Sequence, residues 1–186
     1  MPTKTFLRYG CLLLWCGWAT VAAGQENPAK MKLAGGKLEL TAPANWVRKQ
    51  PRTRIVQYEF AIPAAKGDQI DGRLTVMAAG GGVEANIERW FGQFTQPDGS
   101  STKKRGKVKT KRVAGQDVHL VDISGTFKDQ RGPVAPVVQQ PKYRMLAAII
   151  ETQSAGDYFV KFYGPEKTVA ENEKAFFNMI DRLEQK

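Results

Sequence analysis

The chain has 186 residues, with 28 Lys and Arg against 18 Asp and Glu, one His, two Cys and a formal net charge of +10. Single domains typically hold roughly 100–200 residues, so one core is expected. A charged content of 25% argues against an integral membrane protein, and a lone His excludes a multi-histidine metal centre.

Residues 1–24 change that arithmetic. Lys4 and Arg8 precede an apolar run from Tyr9 to Ala23, and the small residues Ala22 and Gly24 close it. This is the pattern of a secretory signal peptide cleaved near Gly24. The run falls short of the roughly 20 residues that cross a bilayer. A retained N-terminal anchor is the other reading of the segment. Cys11 and Cys16 both leave with it, so the exported chain has no disulfide, thiolate nucleophile or Cys-ligated metal. Without Lys4 and Arg8 the net charge becomes +8.

Residues 25–36 are polar, contain Gly35-Gly36 and read as a flexible leader, with one domain over 37–186. Leu38-Glu39-Leu40 begins the ordered part and PANW (Pro43–Trp46) turns it. Between Arg54 and Ile62, Val56, Tyr58, Phe60 and Ile62 share a face, as in a strand. Leu74, Val76 and Ala78 repeat the pattern after Asp71-Gly72, which suggests a hairpin. Gly80-Gly81-Gly82 ends it. Val83, Ile87, Trp90, Phe91 and Phe94 then follow a helical period until Pro97-Asp98-Gly99.

Val108–Val113 and Asp117–Phe127 read as a second hairpin around Ala114-Gly115-Gln116. A proline-bearing loop spans 129–142. The unbroken apolar centre Met145–Ile150 predicts a strand covered on both faces. Tyr158, Val160 and Phe162 alternate again. Pro165 opens a final helix with Val169, Phe176, Phe177, Ile180 and Leu183 on its buried stripe. Strands, helix, strands, helix joined by hairpins give an α+β fold, a largely antiparallel β-sheet with helices packed on it.

PANW, ERWFGQF (Glu88–Phe94), AGQDVHLVDISGTF (Ala114–Phe127), RMLAAII (Arg144–Ile150) and YFVKFYGP (Tyr158–Pro165) together resemble the PsbP-like (Mog-type) α/β/α sandwich family. The resemblance runs from about Leu38 to Leu183. It implies that fold and agrees with an exported location. It supplies no functional residues, because the matching segments are packing and turn features, and a shared fold does not transfer a function.

The strongest local signal is KKRGKVKTKR, in which Lys103, Lys104, Arg105, Lys107, Lys109, Lys111 and Arg112 crowd into ten residues with no acid. On an edge strand, Lys107, Lys109 and Lys111 would form one row facing a protein partner or an anionic envelope surface. The other reading of the same lysines is a solvated guard against edge-to-edge aggregation. The absence of interleaved aromatics argues against nucleic acid. A second candidate contact is the stiffened loop bearing Val134, Val137 and Val138.

Catalytic signals are weak. His119 lies near Asp117 and Asp122, and a surface or edge position is expected for it. Ser100, Ser101, Ser124 and Ser154 sit in no Gly-x-Ser-x-Gly elbow. Glu84, Glu88, Glu166, Glu171 and Glu173 read as solvated helix faces, and the glycine triplet as a turn. The resulting expectation is an exported, periplasmic or extracellular, monomeric accessory or binding protein without catalytic residues, cofactor or metal. A peripheral binder of anionic envelope surface and a small hydrolase with an unrecognised site are the alternatives.

Overall fold

The computed structural model describes residues 29–130, 134–153 and 155–186. The expected signal peptide with its cysteines, residues 131–133 and Ser154 lie outside the described residues.

The first ordered unit is a small hairpin, β1 (Lys30–Leu33) and β2 (Leu38–Thr41), joined by a 3-10 turn at Ala34–Gly36. This corrects the leader expectation for its second half. In Lys-Met-Lys-Leu the apolar residues alternate with lysines, so Met31 and Leu33 point into the core while Lys30 and Lys32 face water. β3 (Val47–Lys49), β4 (Tyr58–Ile62) and β5 (Gly72–Ala79) follow. The strand expected from Arg54 begins only at Tyr58; residues 54–57 turn, and Ile55 is exposed.

Helix α1 (Val83–Gly92) buries Val83, Ile87, Trp90 and Phe91 as their spacing predicts, together with Asn86, but it ends before Phe94, which is buried on the next strand instead. Then come β6 (Phe94–Thr95), a single helical turn α2 (Thr102–Arg105), β7 (Lys107–Val113), β8 (Gln116–Asp129), β9 (Val138–Thr152) and β10 (Gly156–Pro165). The long strands β8 and β9 take up both ends of the expected proline loop. Residues α3 (Glu166–Glu171), α4 (Glu173–Asp181) and β11 (Glu184–Gln185) complete the chain. The last helix is broken at Asn172, whose side-chain oxygen accepts from Trp46 Nε1 at 3.2 Å while its amide donates to the Thr168 carbonyl at 2.9 Å.

The main sheet is antiparallel in the order β3-β4-β5-β10-β9-β8-β6, with β7 also paired to β8. β7 covers one stretch of the β8 edge, from Gln116 to Asp122, and β6 covers Thr126 and Phe127. Between them a bulge at Gly125 kinks β8. Gly125 has φ 151°, and a Cβ there would lie 2.6 Å from the Thr95 carbonyl.

A second sheet, β1-β2-β11, packs with α3 and α4 on one face of the main sheet; α1 lies on the other. This is a three-layer α+β sandwich. Met145, Ala147 and Ile149 face the α1 core, whereas Leu146, Ala148 and Ile150 face the opposite one. That explains the unbroken apolar run of β9. Trp90 meets Phe159 edge-on at 5.4 Å, a geometry that contributes about 0.5–1.5 kcal/mol beyond area burial.

Candidate functional site

The basic run straddles the corner between α2 and β7. Gly106 makes that corner, and its lack of a side chain is required: a Cβ would sit 2.2 Å from the Phe91 ring of α1. Lys107, Lys109 and Lys111 pair across to Asp122, Leu120 and Val118, so the three share a face, as the alternation predicts. Val108, Thr110 and Arg112 occupy the other face. Among the described residues β7 bonds only to β8, leaving its outer edge free.

The run is nevertheless partly neutralised by acids from elsewhere. Lys103 pairs with Glu88 at 2.5 Å, Arg112 with Asp117 at 3.1 Å, Arg105 with Asp98 and Lys111 with Asp181 of α4. Lys104, Lys107 and Lys109 form no ion pair among the described residues. Beside the run, a surface depression of about 370 Å³ is lined by Gln96, Arg105, Lys107, Asp122 and Ser124. Another of about 440 Å³ lies between α1 and the α2 turn, with Glu88, Phe91, Ser100 and Lys103 on its wall. The expected valine contacts are exposed: Val134 by 98%, Val137 by 46% and Val138, the first residue of β9, by 51%.

His119 is half-buried on β8 rather than at a sheet edge. Its Nδ1 lies 3.0 Å from the Thr110 hydroxyl and its Nε2 2.7 Å from Glu151 Oε2. Hydroxyl, imidazole and carboxylate are strung in line, but all three stand on the faces of neighbouring strands, and neither depression described above includes any of them. Next to Glu151, Asp157 has its carboxyl raised above the usual range, by burial first and then by the Glu151 charge. Among the described residues no three His, Asp or Glu side chains are placed to hold a metal ion.

The remaining motifs have structural partners. Asn86 donates to the Gly80 and Gly82 carbonyls at 3.1 and 2.6 Å, folding the glycine triplet into a turn. Ser100 takes part in a turn in which its N–H donates to Asp98. Glu173 is not simply a solvated helix acid: it accepts from Arg144 Nη1 at 2.8 Å. The same guanidinium holds Asp122 bidentately at 2.8 and 2.9 Å. That network ties β8 and β9 to α4.

A second basic region is not visible in the linear sequence. On the α1 side of the sheet, one row of cross-strand neighbours reads Lys49, Glu59, Thr75, Lys161, Ala147, Val121. The adjacent row reads Val47, Ala61, Arg73, Tyr163, Met145, Ile123. Helix α1 covers the β8–β10 end of these rows, while Lys49 and Val47 at the β3 end are exposed. Arg73 grips Glu59 bidentately at 2.9 and 3.0 Å and donates to the Tyr163 hydroxyl at 2.6 Å. Its guanidinium holds the Glu59 carboxyl below the usual range.

Lys161 lies beside them. Its ammonium stands 5.7 Å from the Trp90 ring centre and 5.5 Å from that of Tyr163, and donates to Gln93 Oε1 at 2.9 Å. Burial, reinforced by the charges of Arg89 and Arg73, lowers its amine to about 8. The one signal available in the sequence was a lysine within the apolar stretch Tyr158–Tyr163.

No protein-family model and no curated protein matches the sequence. Solved structures do. The cyanobacterial PsbP (CyanoP) of Synechocystis sp. PCC 6803 superposes with a TM-score of 0.52 at 11% identity, over 90% of this chain and 98% of that one. The Saccharomyces cerevisiae Ran-binding protein Mog1p gives 0.48 at 12% identity, over 86% and 96%. A Pseudomonas aeruginosa protein of unknown function, PA94, gives 0.47 at 14%, over 86% and 97%. With helices on both faces of one antiparallel sheet, and with CyanoP superposing over nearly its whole length, the chain has the PsbP-like (Mog-type) α/β/α fold.

Proposed function

We propose that this protein is an exported, non-catalytic accessory module that binds an acidic, extended segment of a partner protein along the outer edge of β7. One observation carries the reading: β7 is bonded on a single edge, and Lys104, Lys107 and Lys109 beside that edge have no carboxylate partner among the described residues. Free strand edges accept an added strand through main-chain hydrogen bonds. Lysines disfavour pairing with a second copy of the same basic strand and favour an acidic one. Export rests on the signal-peptide pattern of residues 1–24.

The test is a titration of the exported chain with a peptide of alternating Glu and Val and with its backbone N-methylated analogue. Edge pairing requires that the unmodified peptide bind better, that salt weaken it, and that Lys107→Glu with Lys109→Glu abolish the advantage. Equal binding of the two peptides would reject the edge. Binding to vesicles of anionic lipid with neither peptide bound would favour the envelope-surface reading instead.

A further inference from the structure

Where the cover of α1 ends, the α1-side sheet face between β3 and β10 has a charge imbalance. Lys49 comes from β3, Arg52 from the loop after it, Arg73 from β5, Arg89 from α1 and Lys161 from β10. Among the described residues, the carboxylate that bonds to this group is Glu59, already committed to both ends of the Arg73 fork. Among the described residues, the hydrogen bond of Lys161 goes to a neutral amide, and the charges that act on its amine are those of Arg89 and Arg73. Arg89 is exposed and, among the described residues, donates to the Asn86 side-chain oxygen at 2.6 Å. A half-buried ammonium beside two guanidiniums is an unfavourable arrangement until an anion joins it.

We propose that this open face, centred on Lys161, Arg73 and Arg89, is a second docking surface, and that it receives the carboxylate side chains of an acidic protein partner. Charge complementarity selects the occupant. The shape agrees: the face is a stretch of sheet, with exposed Val47 at its β3 end and half-buried Tyr163 on β10, next to Lys161, at the other. Small-molecule sites are concave, whereas a sheet face with an apolar flank and a charged centre suits a protein surface. The ammonium is held near both ring centres and by its bond to Gln93 before the partner arrives, which lowers the ordering cost of binding.

This surface is separate from β7 and does not depend on edge pairing, so the two readings stand or fall independently. The N-methylated Glu-Val peptide is the discriminating probe, because it offers carboxylates but cannot extend a sheet. Added to the isotope-labelled exported chain, it is expected to shift the backbone amides of Arg73, Arg89 and Lys161 and the Trp90 indole N–H. The double variant Lys161→Gln, Arg89→Gln is expected to weaken that binding about tenfold. Lys161→Arg should retain it, and Lys107→Glu with Lys109→Glu should leave it unchanged. Arg89→Gln alone, an exposed change, reports the same loss in part should the double variant fold poorly. Shifts confined to α2 and β7, no binding at all, or unchanged affinity in both glutamine variants would overturn the proposal.

Discussion

The basic run on α2 and β7 and the basic face beside α1 concentrate positive charge in opposite ways. In the run, seven cations fall within ten consecutive residues, and four carboxylates arrive from α1, the 97–101 turn, β8 and α4 to pair with Lys103, Arg105, Arg112 and Lys111. On the face, the cations come from separate segments and, among the described residues, bond to the carboxylate of Glu59 alone. Sequence density of charge is therefore a poor guide to unpaired charge. What remains after pairing is set by the register of strands that lie far apart in the chain, and the more desolvated cation is the dispersed one, Lys161.

The contrast is open to attack at three points. The largest effect is expected from Arg144→Ala. It strips a half-buried guanidinium from Asp122 and Glu173, and breaking such a network is expected to cost about 2–3 kcal/mol, between an exposed pair and a fully buried one. Urea unfolding would read it, and a loss below about 1 kcal/mol would contradict the network's role. The change also bears on the run, because Asp122 is the cross-strand neighbour of Lys107. Once released, its carboxylate should turn to that lysine and weaken peptide binding at β7.

Lys161→Met should act in the other direction. The folded amine is lowered to about 8 from an ordinary 10.5, so the unfolded chain holds that proton more tightly. Wild-type stability is thus penalised while the group is charged and recovers as pH rises from about 8 toward 10.5. The Met variant is expected to be more stable by about 1 kcal/mol at pH 7, after discounting for partial exposure and for the lost Gln93 bond. Its advantage should fade across that pH window. Thermal unfolding at pH 7 and pH 10 separates the two, and a constant difference would count against a charged, desolvated amine.

The smallest expected effect comes from Asp181→Asn, which frees Lys111. An exposed pair of this kind changes stability by less than about 1 kcal/mol. Binding of the unmodified Glu-Val peptide should strengthen, by about threefold, with a steeper salt dependence. Unchanged affinity would show that Lys111 does not face the bound strand.

Much of the architecture was legible because period and packing agree. The α1 stripe, the two hairpins of β4–β5 and β7–β8 and the doubly buried centre of β9 all appear where apolar spacing places them. β1 was passed over because four residues beside a glycine pair resemble a leader, although Met31 and Leu33 already alternate with lysines. The α2 turn has four residues and no apolar period of its own. For the site, the row of Lys107, Lys109 and Lys111 follows from alternation alone, whereas their neutralising acids do not. The face around Lys161 could not be read in advance, since it exists only once β3, β4, β5 and β10 are in register.

The small sheet has a consequence of another kind. β2 is flanked by β1 on one side and β11 on the other, and Lys30 sits opposite Thr41 while Gln185 sits opposite Leu38. The ladder is lengthened at both ends, by Ala42 N–H to Ala29 and by Lys186 N–H to Lys37. The first and last strands thus leave β2 at opposite ends. Tension between the two ends of the domain slides β1 and β11 past β2 in opposite directions, so the rungs of each ladder resist together instead of opening one by one. A pull along the chain meets the sheet in shear, the direction in which paired strands are hardest to part.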